Sequence, residues 1–112
     1  MKKVEVIVDS SKLDQVRAAL DRVGADGMTV TDVRGYEREH ERTERYRGAQ
    51  HQVYLVTKVK IEVVVEDGRV PAVVEELVRV TRTGRLGDRR ILVSPVEDAA
   101  RARTGERGNE VR

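Results

Sequence analysis

The chain has 112 residues, of which 22 are Lys or Arg and 20 Asp or Glu, for a formal charge of +2; it contains three Tyr but no Phe, Trp or Cys. That length supports one domain with its own core, and the lack of Cys excludes disulfides, thiolate nucleophiles and Cys-based zinc sites. No run approaches the roughly 18 apolar residues of a membrane span and no apolar signal core stands at the start, so a cytoplasmic protein without membrane insertion is expected.

Val4, Val6 and Val8 alternate with Lys3, Glu5 and Ile7, which predicts a half-buried first strand from Met1 to Val8. Ser11 and Asp14 have capping-box spacing, and Leu13, Val16, Leu20 and Val23 mark one face of a helix over residues 12 to 23, with Gly24 to end it. After Gly24-Ala25-Asp26-Gly27, the Thr- and Val-rich run from Met28 to Arg34 predicts a second strand ending at Gly35. A third strand is expected within Val53 to Glu66, where Val59, Ile61, Val63 and Val65 alternate with Lys58, Lys60, Glu62 and Val64. Asp67-Gly68 breaks it. Pro71 suits a first helical turn, and Val70, Val73, Val74, Leu77 and Val78 repeat at helical spacing until Gly84. Arg90 to Val96 predicts a short fourth strand, with Pro95 marking an edge or terminal position, and a polar tail follows over 97–112.

The order βαββαβ predicts an α+β, ferredoxin-like sandwich: a four-stranded antiparallel sheet with both helices on one face. The core must be aliphatic, since 21 residues are Val and none is Phe or Trp. Aliphatic residues on both faces of the central strands imply that the helix-free face is covered by other copies, so a ring-like homo-oligomer is expected.

Arg and Glu are interleaved almost everywhere, as in Glu37, Arg38, Glu39, Glu41, Arg42, Glu44 and Arg45, so no basic stripe for nucleic acid is expected. The same segment is unusual in another way. Residues 36–54 hold every Tyr and every His: Tyr36, His40, Tyr46, His51 and Tyr54. Loops longer than roughly 12–15 residues in a compact domain are functional or disordered, and composition leaves open whether this one docks a partner or is a tolerated insertion. His40 and His51 lack HxxxH or HExxH spacing, so no metal cage is indicated.

No GxxxxGK[ST], GxGxxG or GxSxG occurs, and no catalytic constellation is evident. The turn Thr83-Gly84-Arg85-Leu86-Gly87-Asp88-Arg89-Arg90 pairs backbone freedom with guanidinium charge, which suits a polyphosphate, although a helix cap followed by an ordinary turn also accounts for it. Arg101 and Arg103 would share one face of an extended segment as a second clamp, or as a solvated pair.

Taken together, the opening MKKVEVIVDSSKLDQVRAAL, GMTVTDVRG at 27–35, YRGA at 46–49, KVKIEVVV at 58–65 and RTGRLGDRRILVSPVEDAARARTGE at 82–106 resemble the PII nitrogen-regulatory signalling proteins in order and spacing. The resemblance implies a non-enzymatic homotrimer that binds ATP or ADP between subunits, with Mg accompanying ATP. It implies action on a target transporter, enzyme or regulator through a T-loop over 36–54. Gly27, Met28 and Thr29 correspond to the adenine side, and Gly35, Arg38, Glu62 and Val64 to the cleft lining. Gly87, Asp88, Arg89 and Arg90, within a turn over 82–90, correspond to the phosphate side together with Arg101 and Arg103 near the subunit boundary.

The family usually has Gly then Lys where this chain has Arg89 and Arg90. In the T-loop the family's Gly-Arg-Gln-Lys-Gly is replaced by Glu37, Arg38, Glu39, His40 and Glu41. Glu39 retains an oxygen for Mg. Its charge opposes the dianion 2-oxoglutarate by on the order of a few kcal/mol at ~4 Å, which argues against strong binding although Lys58, the usual contact, is kept. His51 and Ala49 stand where relatives carry a modifiable Tyr or Ser, so no modification is expected at either. The alternative readings are a sensor of another metabolite, or of AMP or ADP without a 2-oxoglutarate response, and a small ferredoxin-like phosphatase.

Overall fold

The structure is a computed structural model that describes residues 1–38, 53–82 and 90–111. Strand β1 covers Lys2–Val8, helix α1 Leu13–Arg22, β2 Thr29–Arg38, β3 Val53–Val65, helix α2 Val70–Thr81 and β4 Ile91–Pro95. Four antiparallel strands in the order β2-β3-β1-β4 form one sheet, as the βαββαβ reading expects.

Valine alternation decides which face each strand buries. Val4, Val6 and Val8 of β1 pair across the ladder with Val63, Ile61 and Val59 of β3. All six are buried, and with Val65 they form one layer of an aliphatic core completed by Val16 and Leu20 from α1 and Val73 and Leu77 from α2. β-Branched side chains on both strands give the pleated surface good packing without an aromatic. The opposite face carries Lys3, Glu5 and Ile7 beside Lys60, Glu62 and Val64, all half-buried, and Leu92 of β4 is exposed there.

Several boundaries differ from the sequence expectation. A 3-10 turn over Ser10–Lys12 leads into α1, whose N-cap is Lys12 with no side-chain cap bond; Ser11 lies within that turn, so it does not cap the helix. Gly24 ends α1 as expected, at φ 75, with its N–H donating to the Asp21 carbonyl at 3.1 Å. Helix α2 stops at Thr81, where Arg82 turns extended, and the Thr81 hydroxyl donates to the Leu77 carbonyl at 2.6 Å. Strand β2 continues past Gly35 through Tyr36 to Arg38, which pairs with Val53.

That continuation creates an arm. β1 pairs with β3 only as far as Val8 opposite Val59, so residues 33–38 of β2 and 53–58 of β3 pair only with each other. Tyr36 and Leu55 on this ribbon are exposed.

The interleaved charges do not leave every face neutral. Lys12, Gln15, Ala18 and Arg22 from the α1 side and Arg79, Val80 and Arg82 from the α2 side line one concavity of about 450 Å³, so four cations converge there. Glu76 binds two of them. Among the described residues no helix is long and apolar enough to cross a membrane.

Candidate functional site

The loop after α1 brings Asp26, Gly27 and Met28 up to the first residue of β2, Thr29, which pairs with Glu62 of β3. β3 contributes Glu62, Val63 and Val64, and β1 contributes Lys3, which pairs with Val64. These eight residues line an open cleft of about 340 Å³. A Cβ on Gly27 would meet nothing within 4 Å, so this glycine leaves space on the cleft side and is demanded by no neighbour in its own chain.

The electrostatics of the cleft follow from the register. Glu5 and Glu62 lie directly opposite across the β1–β3 ladder, a like-charge pair that destabilises a sheet when nothing offsets it. Lys3 offsets it, with Nζ 3.0 Å from Glu62 Oε2 and 3.8 Å from Glu5 Oε1. The hydrogen bond to Glu62 is the main reason the Lys3 ammonium is held above the usual lysine range. Glu62 is thereby fixed as an acceptor on the wall of a cleft that combines the apolar Met28, Val63 and Val64 with the polar Asp26 and Thr29.

A family model described as "Nitrogen regulatory protein P-II" matches residues 1–106. Relatives bearing that same name are 50% identical in a Synechocystis strain, 49% in Microchaete diplosiphon and 48% in Azospirillum brasilense, each over 110 residues that cover 98% of this chain and 98% of the relative. The chain belongs to the P-II family.

Of the site residues expected from the P-II resemblance, Gly27, Met28, Thr29, Glu62 and Val64 meet at this one cleft. Gly35 lies away from it on β2, where an added Cβ would stand 4.0 Å from the Val56 carbonyl oxygen. Arg90 is exposed just before β4. Arg101 and Arg103 belong to a tail hairpin in which Ala100 bridges to Arg107 and Gly105, at φ 79, makes the turn. There Arg101 Nε donates to Glu106 Oε1 at 2.9 Å, while Arg103 is exposed. None of the three lines the cleft within the chain. Gly87, Asp88, Arg89, Glu39, Ala49 and His51 lie outside the described residues, as does the side chain of Arg38.

Lys58 is held differently from the expectation. It is buried, with Nζ 2.6 Å from Asp9 Oδ1. The sequence reading missed Asp9, and it missed Lys3, Asp26 and Val63 as cleft residues. Register would have found two of them: once Val8 is set against Val59, Asp9 falls opposite Lys58 and Lys3 opposite Val64. Among the described residues no group of three or more His, Asp or Glu side chains is arranged to hold a metal.

Proposed function

We propose that this chain is a cytoplasmic, non-enzymatic nitrogen-regulatory signalling protein. It assembles as a homotrimer, binds ATP or ADP between subunits, and acts on a target transporter, enzyme or regulator through the segment 36–54. The observation that carries this reading is the convergence of Gly27, Met28, Thr29, Glu62 and Val64, spread over 38 positions of sequence, on one cleft in a chain of the P-II family. Met28 and Val64 offer apolar contact to an adenine, and the Lys3-bound carboxylate of Glu62 accepts a hydrogen bond from a ribose hydroxyl.

Among the described residues the lining contains no arginine, so the triphosphate draws its cations from other positions. Arg90, and Arg101 and Arg103 of a neighbouring subunit, fill that role in the trimer, and Gly87, Asp88 and Arg89 belong to the same phosphate side by correspondence with the family. Glu39 is an oxygen donor suited to the Mg that accompanies ATP. Lys58 is the cation on the side of an anionic effector. The Asp9 carboxylate already at its ammonium favours a sensor of nucleotide state over a strong 2-oxoglutarate sensor.

Calorimetry with ATP, ADP and AMP, each with and without Mg and 2-oxoglutarate, tests the reading. The expected result is nucleotide binding without turnover. Arg103→Ala should weaken ATP affinity by roughly 10-fold or more, since charge-assisted hydrogen bonds contribute about 1.5–3 kcal/mol. Unchanged affinity in Arg103→Ala removes the arginine from the site, and steady hydrolysis favours a phosphatase.

A further inference from the structure

Lys58 is one of two buried polar or charged residues among those described, and the other, Thr81, is satisfied within its own helix. A buried ammonium requires an anion at hand. Asp9 supplies it from one residue beyond the last β1–β3 pair, at 2.6 Å. The two partners are unequal. The Lys58 side chain is 10% exposed and fixed on a central strand, whereas the Asp9 side chain is 63% exposed in the short link after β1. The ammonium is enclosed by the fold, whereas the carboxylate stands at the surface.

We propose that Asp9 is a specificity-determining residue that occupies the anion position at Lys58 and thereby keeps short dicarboxylates off it. A tethered carboxylate competes at an effective concentration in the millimolar range or above, so an external one must outcompete it before binding. A dicarboxylate is the relevant class because Lys60, a second cation, lies two residues along β3 on the same sheet face, the two positions being roughly 7 Å apart along the strand. The inference rests on reading Lys58 as the effector-side cation and adds the residue that controls access to it.

The test is titration of 2-oxoglutarate, with acetate as the single-carboxylate control, into the full chain, into Asp9→Asn and into Asp9→Asn combined with Lys58→Met, each with and without MgATP. Asn keeps an oxygen acceptor for Lys58 while removing the competing charge. Asp9→Asn should bind 2-oxoglutarate at least 10-fold more tightly than the unaltered chain, acetate should gain less, and the double variant should lose the gain. Asp9→Ser, checked by circular dichroism, should repeat the result if Asp9→Asn folds poorly. Equal 2-oxoglutarate affinity in the unaltered chain and the folded Asp9 variants overturns the proposal, as does a gain that survives Lys58→Met. ATP affinity should be the same in Asp9→Asn as in the unaltered chain. Loss of ATP binding in every protein, with the dicarboxylate gain intact, would instead remove the nucleotide reading and leave Asp9 in its role.

Discussion

Leu77 has 2% of its surface exposed and lies in α2 against the aliphatic core, where Val16, Leu20, Val73 and Ile61 are also buried. With no aromatic in that core, each Leu or Ile is a large fraction of what fills it. Leu77→Ala should lower unfolding stability by about 2–5 kcal/mol in urea titration, because a cavity adds to the lost burial. Val30→Ala, at a position 40% exposed on β2, should cost much less. Core residues of this kind were legible from sequence, since alternation and helical spacing report burial directly. Pairwise chemistry was not. Lys58 and Asp9 are 49 positions apart, and only the strand register brings their charges together. The same holds for Lys3 and Glu62, whose contact depends on how two strands align and not on any local motif.

At the level of elements, the two helices are tied by Glu76 of α2, which accepts from Arg22 of α1 at 3.0 Å and from Arg79 of its own helix at 2.9 Å. These bonds, from Arg79 first and Arg22 second, lower the Glu76 carboxyl to about 2. A carboxyl depressed on folding contributes stability that is fully present above its unfolded value, near 4.5, and is lost as the pH falls through about 2. Thermal melts from pH 7 down to pH 2 should therefore fall less steeply below about pH 5 for Glu76→Gln than for the unaltered chain, with the two curves converging in acid. The four strands and two α-helices were readable, including the breaks at Gly24 and Asp67-Gly68, whereas the short 3-10 turns were not. Ends were less readable. Ser11 has capping-box spacing but is spent in a 3-10 turn, and Gly35 looks like a strand terminator but sits within β2, where its cross-strand neighbour Val56 leaves room.

On the scale of the whole molecule, the sheet has one face sealed by helices and another bearing Ile7, Val64 and Leu92 among charges. Alternation alone pointed to this second apolar face and hence to assembly, and the structure presents it. In sedimentation the chain should run at about three times its own mass. Ile7→Asp, which places a charge on the helix-free face opposite Lys60, should shift that population toward monomer and weaken nucleotide binding together with it. The phosphate side of the site was the least legible part. Of the arginines expected there, Arg90, Arg101 and Arg103 do not line the cleft described in their own chain, so no single-chain pattern could show which cleft they would serve.

The ribbon formed by residues 33–38 and 53–58 projects about 20 Å at roughly 3.4 Å per residue, and Lys58 stands at its root. The Asp9–Lys58 pair stands where the ribbon leaves the rest of the sheet. A rotation of about 10° there carries the far end of the ribbon by on the order of 3.5 Å over that length, more than the reach of a hydrogen bond. Were exchange of one carboxylate for another at that ammonium to turn the ribbon by this angle, a distant contact would come into register or leave it.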